Sequence, residues 1–153
     1  MSSEQDSNSV YANGDIYRVK LFSQQTKNRL TILEAKVPPG GGPPRHNHQN
    51  EDEIFYVLAG ELEITCGSDV YTATEGDLVH IPQGVMHSFT NKSPYDAKQL
   101  LIFAPGGFEH FFLELGEPVK NGEIPENATA TDQEEARRIG AKYGSFQEEF
   151  YEK

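Results

Sequence analysis

From residue 16 to residue 103 the chain is a succession of short segments rich in β-branched and aromatic residues, and Gly, Pro, Asn or Asp stands in nearly every gap. That pattern constrains the fold more than any other property of the sequence. Many short strands separated by turn chemistry bury an apolar face as a sandwich or a barrel. The predicted strands are 16–22, 29–37, 53–59, 61–66, 71–74, 77–81, 86–91 and 98–103. A polar turn over 24–28 precedes the second, and Gly60 marks a hairpin between 53–59 and 61–66. A chain of 153 residues suits one domain, long enough to bury a core. Residues 1–13 are polar and are expected to form a flexible N-terminal segment, with the barrel over 14–115 and a C-terminal loop and helix over 116–153 that pack on it.

Beyond the barrel the pattern changes. Residues 108–115, Phe-Glu-His-Phe-Phe-Leu-Glu-Leu, could be a strand or a short helix, and periodicity does not decide between them. Pro118, Gly122 and Pro125 make 117–130 a surface loop. Thr131-Asp-Gln-Glu134 is a capping-box pattern, Ala136, Ile139 and Tyr143 recur at helical spacing, and Gly144 follows as a C-terminal stop. A helix is predicted over 132–143. The tail 145–153 mixes Phe146, Phe150 and Tyr151 with acids and is expected to pack back on the domain.

The formal net charge of -11 repels phosphate backbones and anionic lipid surfaces, so neither nucleic acid nor a membrane is an expected partner. A single cysteine, Cys66, excludes an internal disulfide framework and is expected to be inert. The first residues carry neither a basic region nor an apolar stretch, and no apolar run reaches spanning length, so a cytoplasmic location is expected.

The chemistry concentrates between Gly40 and Asn91. His46 and His48 are two residues apart, and strand side chains repeat with period two, so a strand here turns both imidazoles to one side. Two ring nitrogens on one side can share a metal at about 2.0–2.2 Å each. Glu53 opens the apolar run Ile54-Phe-Tyr-Val-Leu58. If its carboxylate faces inward, Phe55 and Val57 do too, and an apolar wall beside it is expected to raise its pKa. His87 follows the turn Pro82-Gln-Gly84 at the start of the next strand and could supply a third imidazole. His80 alternates away from Val79 and Ile81 and is given a structural or supporting role. His110 is read as packing or surface. Phe108, Phe111, Phe112 and Leu113 could line a barrel mouth, although core packing is the simpler assignment.

These two stretches resemble the paired motifs of the cupin superfamily. Gly40, His46, His48, Glu53 and Gly60 match the first motif, and Gly76, Pro82, Gly84, His87 and Asn91 match the second. The resemblance implies an all-β double-stranded β-helix, a jelly-roll barrel with a short C-terminal helix. It also implies one divalent transition metal (Ni, Fe, Mn, Co or Zn) held by His46, His48, Glu53 and His87. The segment after the barrel, from Ala104-Pro-Gly-Gly-Phe108 to Pro118 and the helix ending at Gly144, is similar to that of single-domain cupins resembling bacterial quercetin 2,3-dioxygenase. By that resemblance the substrate is a small molecule, a flavonol or similar enol, cleaved with O₂ in an oxidoreductase reaction, with Glu53 as the catalytic base. A cupin isomerase or decarboxylase, and a non-catalytic metal or small-molecule binder, are the alternatives. Likeness to small cupins also implies a homodimer.

Overall fold

The computed structural model describes residues 8–148, which fold into two antiparallel sheets facing each other, with two short helices at one end. The strands are β1 Ser9–Ala12, β2 Asp15–Leu21, β3 Thr31–Val37, β4 His46–His48, β5 Asp52–Ala59, β6 Glu61–Cys66, β7 Asp69–Thr74, β8 Leu78–Ile81, β9 His87–Thr90, β10 Ala97–Ala104, β11 Glu117–Pro118 and β12 Ser145–Gln147. A 3₁₀ turn, Ser23–Thr26, follows β2, and the helices are α1 Glu109–Leu115 and α2 Gln133–Lys142. The larger sheet runs β11-β1-β2-β3-β10-β5-β8 and the smaller β12-β4-β9-β6-β7. This is the all-β architecture expected from the strand pattern, in the jelly-roll form that the family resemblance implied.

Alternation explains the core. Thr31, Leu33, Ala35 and Val37 of β3, Glu53, Phe55 and Val57 of β5, and Gln99, Leu101 and Phe103 of β10 are all buried while their neighbours are not. Register aligns them in rows. Phe55 stands opposite Leu101 and Leu101 opposite Leu33; Val57, Gln99, Ala35 and Tyr17 form the next row. Leu62, Ile64, Ala73 and Phe89 supply the facing layer from the smaller sheet.

Two sequence expectations need correction, and one open alternative is resolved. Residues 9–12 are not part of a loose segment: they form β1, because Val10 and Ala12 bury their side chains and β1 pairs with both β2 and β11. Polarity concealed that strand, since only alternate residues of an outer strand need be apolar. The helix over 133–142 is capped by Asp132, whose carboxylate accepts from the amides of Glu134 and Glu135. Thr131 instead accepts from the Asn13 amide at 2.8 Å, tying the helix start to the β1–β2 turn. The ambiguous 108–115 segment is helical from Glu109, with that carboxylate fully buried and accepting from the Ser23 hydroxyl and the Thr31 hydroxyl, each at 2.6 Å. Those bonds pin α1 to the barrel end. Ser145–Gln147 of the tail packs back as predicted, as a strand; Phe150 and Tyr151 lie outside the described residues. No helix among the described residues is long and apolar enough to cross a membrane.

Candidate metal centre

The motif glycines and Asn91 build the frame. Gly40 donates its amide to the Asn91 carbonyl (2.8 Å), and the Asn91 amide donates to the Gly41 carbonyl (3.1 Å), so the far ends of the two motifs are bonded to each other. The buried Asn91 side chain donates to the Val37 and Tyr95 carbonyls and accepts from Ser93. Gly84, at φ +87, donates its amide to the His48 carbonyl, which ties the turn presenting His87 to the strand presenting His48. At Gly60, φ +79, a side-chain carbon would meet the Asp96 carbonyl oxygen at 2.7 Å and the Ala97 Cα at 2.8 Å, so the hairpin closes only around glycine.

That frame brings the four predicted ligands together. His46 and His48 share one face of β4, His46 stands opposite His87 of β9, and Glu53 reaches in from the other sheet. One ligand atom from each lies within 4.8 Å of all the others. Their rings converge, with centroids 4.5 Å apart for His46–His87 and 4.9 Å for His46–His48. His48, Glu53 and His87 are buried, and His46 is half-buried toward the cavity.

The hydrogen bonds fix the tautomers. His46 Nδ1 lies 2.8 Å from the Pro44 carbonyl and His87 Nδ1 2.9 Å from the Val85 carbonyl. A carbonyl only accepts, so both Nδ1 atoms carry a proton, and in the neutral rings both Nε2 atoms present a lone pair inward. His87 Nε2 then faces Glu53 Oε1 at 2.9 Å, and His48 Nε2 lies 3.1 Å from the same oxygen. Two acceptors at that distance repel, so each contact needs either a shared proton, which makes the ring a cationic donor to Glu53, or a metal ion in its place. A divalent cation meets that demand for both rings, and His48 Nδ1 is buried with no hydrogen-bond partner among the described residues. Burial, then the neighbouring His87 and His48, hold His46 well below the usual imidazole range, and burial lowers His48. Neutral imidazoles are the form a metal takes.

Glu53 departs from expectation. Burial does push its pKa up, as the apolar wall implied, but its bonds to His48 and His87 outweigh burial and hold it at about 2. Its neighbour Glu51, also buried, is raised to about 7 by burial and then by the Glu53 charge, and lies 3.9 Å from His48 Nδ1. Sequence reasoning passed over Glu51 because it falls between the motif positions. It also missed Tyr17, which is buried in the cavity wall with its hydroxyl donating to Asp15 at 2.9 Å. The inward parity of 15, 17 and 19 in β2 was the available signal. His80 supports no ligand: it is exposed and bonds Asp52 at 2.9 Å on the outer face. His110 is likewise on the surface. Cys66 is a free, half-buried thiol pushed up by burial, consistent with inertness.

The centre opens into a cavity of about 40 Å³. Phe108, Phe111 and Phe112 do line it, and Phe108 also packs edge-on against His48 at 4.4 Å. The C-terminal segment closes the mouth: Ala136, Arg137 and Gly140 of α2 and Ser145 and Gln147 of β12 complete the wall. β12 pairs directly with β4, placing Ser145 opposite His48 and Gln147 opposite His46. A space of this size takes roughly three waters.

Comparison with known proteins agrees with the geometry. The Cupin domain family matches residues 33–103. The quercetin 2,3-dioxygenase of Bacillus subtilis (strain 168) is 27% identical over 110 residues, 72% of this chain but 32% of that protein, so the chain spans about a third of that relative's length. The oxalate-binding protein of Thermotoga maritima is 29% identical over 101 residues, 65% of this chain and 84% of that protein. Among solved structures, a Thermotoga maritima protein described as a predicted oxalate decarboxylase superposes with a TM-score of 0.62 at 24% identity, covering 69% of this chain and 96% of the other. With its motif residues converging between two jelly-roll sheets and its central residues matching the family, the chain belongs to the cupin superfamily.

Proposed function

We propose that this chain is a metal-dependent enzyme, a dioxygenase that cleaves a small enol or hydroxyaromatic substrate of the flavonol type with O₂. The observation that carries the metal is the convergence of one ligand atom from each of His46, His48, Glu53 and His87, all within 4.8 Å of one another. A divalent metal held by His46, His48, Glu53 and His87 supplies Lewis acidity, lowering the pKa of a hydroxyl brought to it and offering positions beyond the four protein ligands. The rest falls to the protein. Phe108, Phe111 and Phe112 exclude water and offer flat apolar faces to a ring. Glu53 is the one carboxylate among the described residues that lines the cavity, so it is assigned to receive the substrate hydroxyl proton on Oε1 or Oε2. Glu53 would have to serve as ligand and base in turn, free to take the proton only while its carboxylate is not bound to the ion.

A second reading is favoured by the narrow cavity, about 40 Å³, and by the likeness to an oxalate-binding protein: a binder of small chelating acids without turnover. One experiment separates the two. Protein loaded with Fe, Ni, Mn or Co is given a panel of flavonols and diketones in an oxygen electrode, and oxalate in a calorimeter. Oxygen uptake that needs metal and disappears in Glu53→Gln supports the dioxygenase. Oxalate binding with no uptake on the whole panel overturns it in favour of the binder.

A further inference from the structure

The outer face of the larger sheet breaks the alternation that shapes the rest of the fold. An antiparallel sheet that shows one face to water alternates apolar and polar residues, whereas β5 reads Ile54-Phe-Tyr-Val-Leu58 and β10 reads Leu100-Leu-Ile-Phe103 without interruption. Phe55, Val57, Leu101 and Phe103 of those runs belong to the core. Their neighbours alternate to the outer face, and register sets them side by side. Ile32, Ile102 and Ile54 form one row across β3, β10 and β5, and Leu100, Tyr56 and Leu78 form the next across β10, β5 and β8. Leu78 is 59% exposed and the other five are half-buried. Both helices stand at one end and the smaller sheet packs on the inner face, so among the described residues no helix or sheet covers these rows. None of the six lines the cavity. At about 4.8 Å between strands and about 6.8 Å between like-facing residues, the two rows cover roughly 20 by 14 Å, an apolar centre around which a polar rim completes a standard interface of about 800 Å² per partner.

We infer that this face is where a second copy of the chain docks, sheet against sheet, about a two-fold axis running along the strands. Charge favours a copy of itself as the occupant. The chain carries a net charge of -11, yet the outward positions bordering the two rows hold Arg18, Lys36 and Lys98 beside Glu34 and Asp52, so two copies repel least when they meet here. The cations Arg18 and Lys36 stand toward the β2 side, and the acids Asp52 and Asp77 toward the β8 side. A two-fold along the strands lays the β2 side of one copy over the β8 side of the other, so each basic flank meets an acidic one twice. Leu100 and Ile102, on the middle strand of the five, then lie nearest the axis. Such a dimer forms with or without a metal. Glu53 and Ile54 are neighbours on β5, so the strand that carries a candidate ligand inward carries the interface outward.

The test is the mass of the full chain in solution, read by light scattering after size-exclusion chromatography and by sedimentation equilibrium. At roughly 50 µM the wild type has the mass of two chains, as an interface of standard size gives. Leu100→Lys places two like charges at the centre of the contact and has the mass of one chain. Leu78→Lys weakens the dimer about tenfold or more. Because Leu78 is 59% exposed, that replacement costs the fold little and carries the test if Leu100→Lys does not fold. Val70→Lys, at a residue 62% exposed on β7 in the other sheet, leaves the dimer intact. Dispersed amide spectra establish that each variant is folded. A wild type with the mass of one chain overturns the inference and leaves the face to a different partner. A dimer unaffected by the replacements at 100 and 78, or one lost as readily in Val70→Lys, lies on another surface and overturns it too.

Discussion

At the scale of single residues the site depends on one oxygen. Glu53 Oε1 faces both His48 and His87, so losing either imidazole removes a ligand and also releases Glu53 toward the high pKa that burial favours. His48→Ala and His87→Ala are expected to lower metal retention at least tenfold, while His80→Ala, on the outer face, leaves it unchanged; elemental analysis of protein purified without added metal checks both. Asp15 gives a pH signature that does not involve the metal. Burial raises it from 3.8 to about 8, opposed by the Tyr17 hydroxyl. The folded chain therefore holds a proton between about pH 4 and pH 8 that the unfolded chain has released, so this group's contribution to stability falls as pH rises through that window. Asp15→Asn keeps an acceptor for Tyr17 and removes the slope. Chemical denaturation at pH 5 and pH 8 should show the wild type losing on the order of a few kcal/mol more than the variant between the two.

At the scale of elements, the strands of the motif region were legible because alternation and turn chemistry agree there: β6 was predicted residue for residue, and β5 and β10 to within one residue at either end. The four candidate ligands were legible from strand parity at His46 and His48, the Pro82–Gly84 turn before His87, and the family resemblance of the two motifs. What the sequence hid was long-range pairing. Nothing local marks Ser9–Ala12 or Ser145–Gln147 as strands; each is one because a distant edge, β2 or β4, is open to it. The raised pKa expected for Glu53 failed because hydrogen bonds from His48 on the preceding strand and from His87, 34 residues away, outweigh burial. Two predictions belong here. Ile139 is fully buried under α2, and Ile139→Ala should cost about 2–4 kcal/mol and widen the cavity mouth, read as lower stability with faster amide exchange in 145–147. Gly60→Ala, forced against the 96–97 backbone at positive φ, should cost more than about 1 kcal/mol with no change in metal stoichiometry.

At the scale of the molecule, metal and fold are linked. Four ligands drawn from β4, β5 and β9 span both sheets, so an ion that binds them binds only the folded chain. Chelation should therefore lower the melting temperature. At a free metal concentration about a hundred times its dissociation constant the linkage is about 2.7 kcal/mol, or roughly 5–10 °C for a chain of this size, measured by calorimetry before and after dialysis against a chelator. The pairing of β12 with β4 adds a matter of timing. The strand holding His46 and His48 is flanked by β9 on one side and by residues 145–147 on the other. During synthesis, the motifs leave the ribosome before residues 145–147 do, so β4 waits with one edge uncovered until those residues follow. The site is enclosed only once residues 145–147 emerge, and a chain cut before them would carry every candidate ligand yet lack the wall that encloses them.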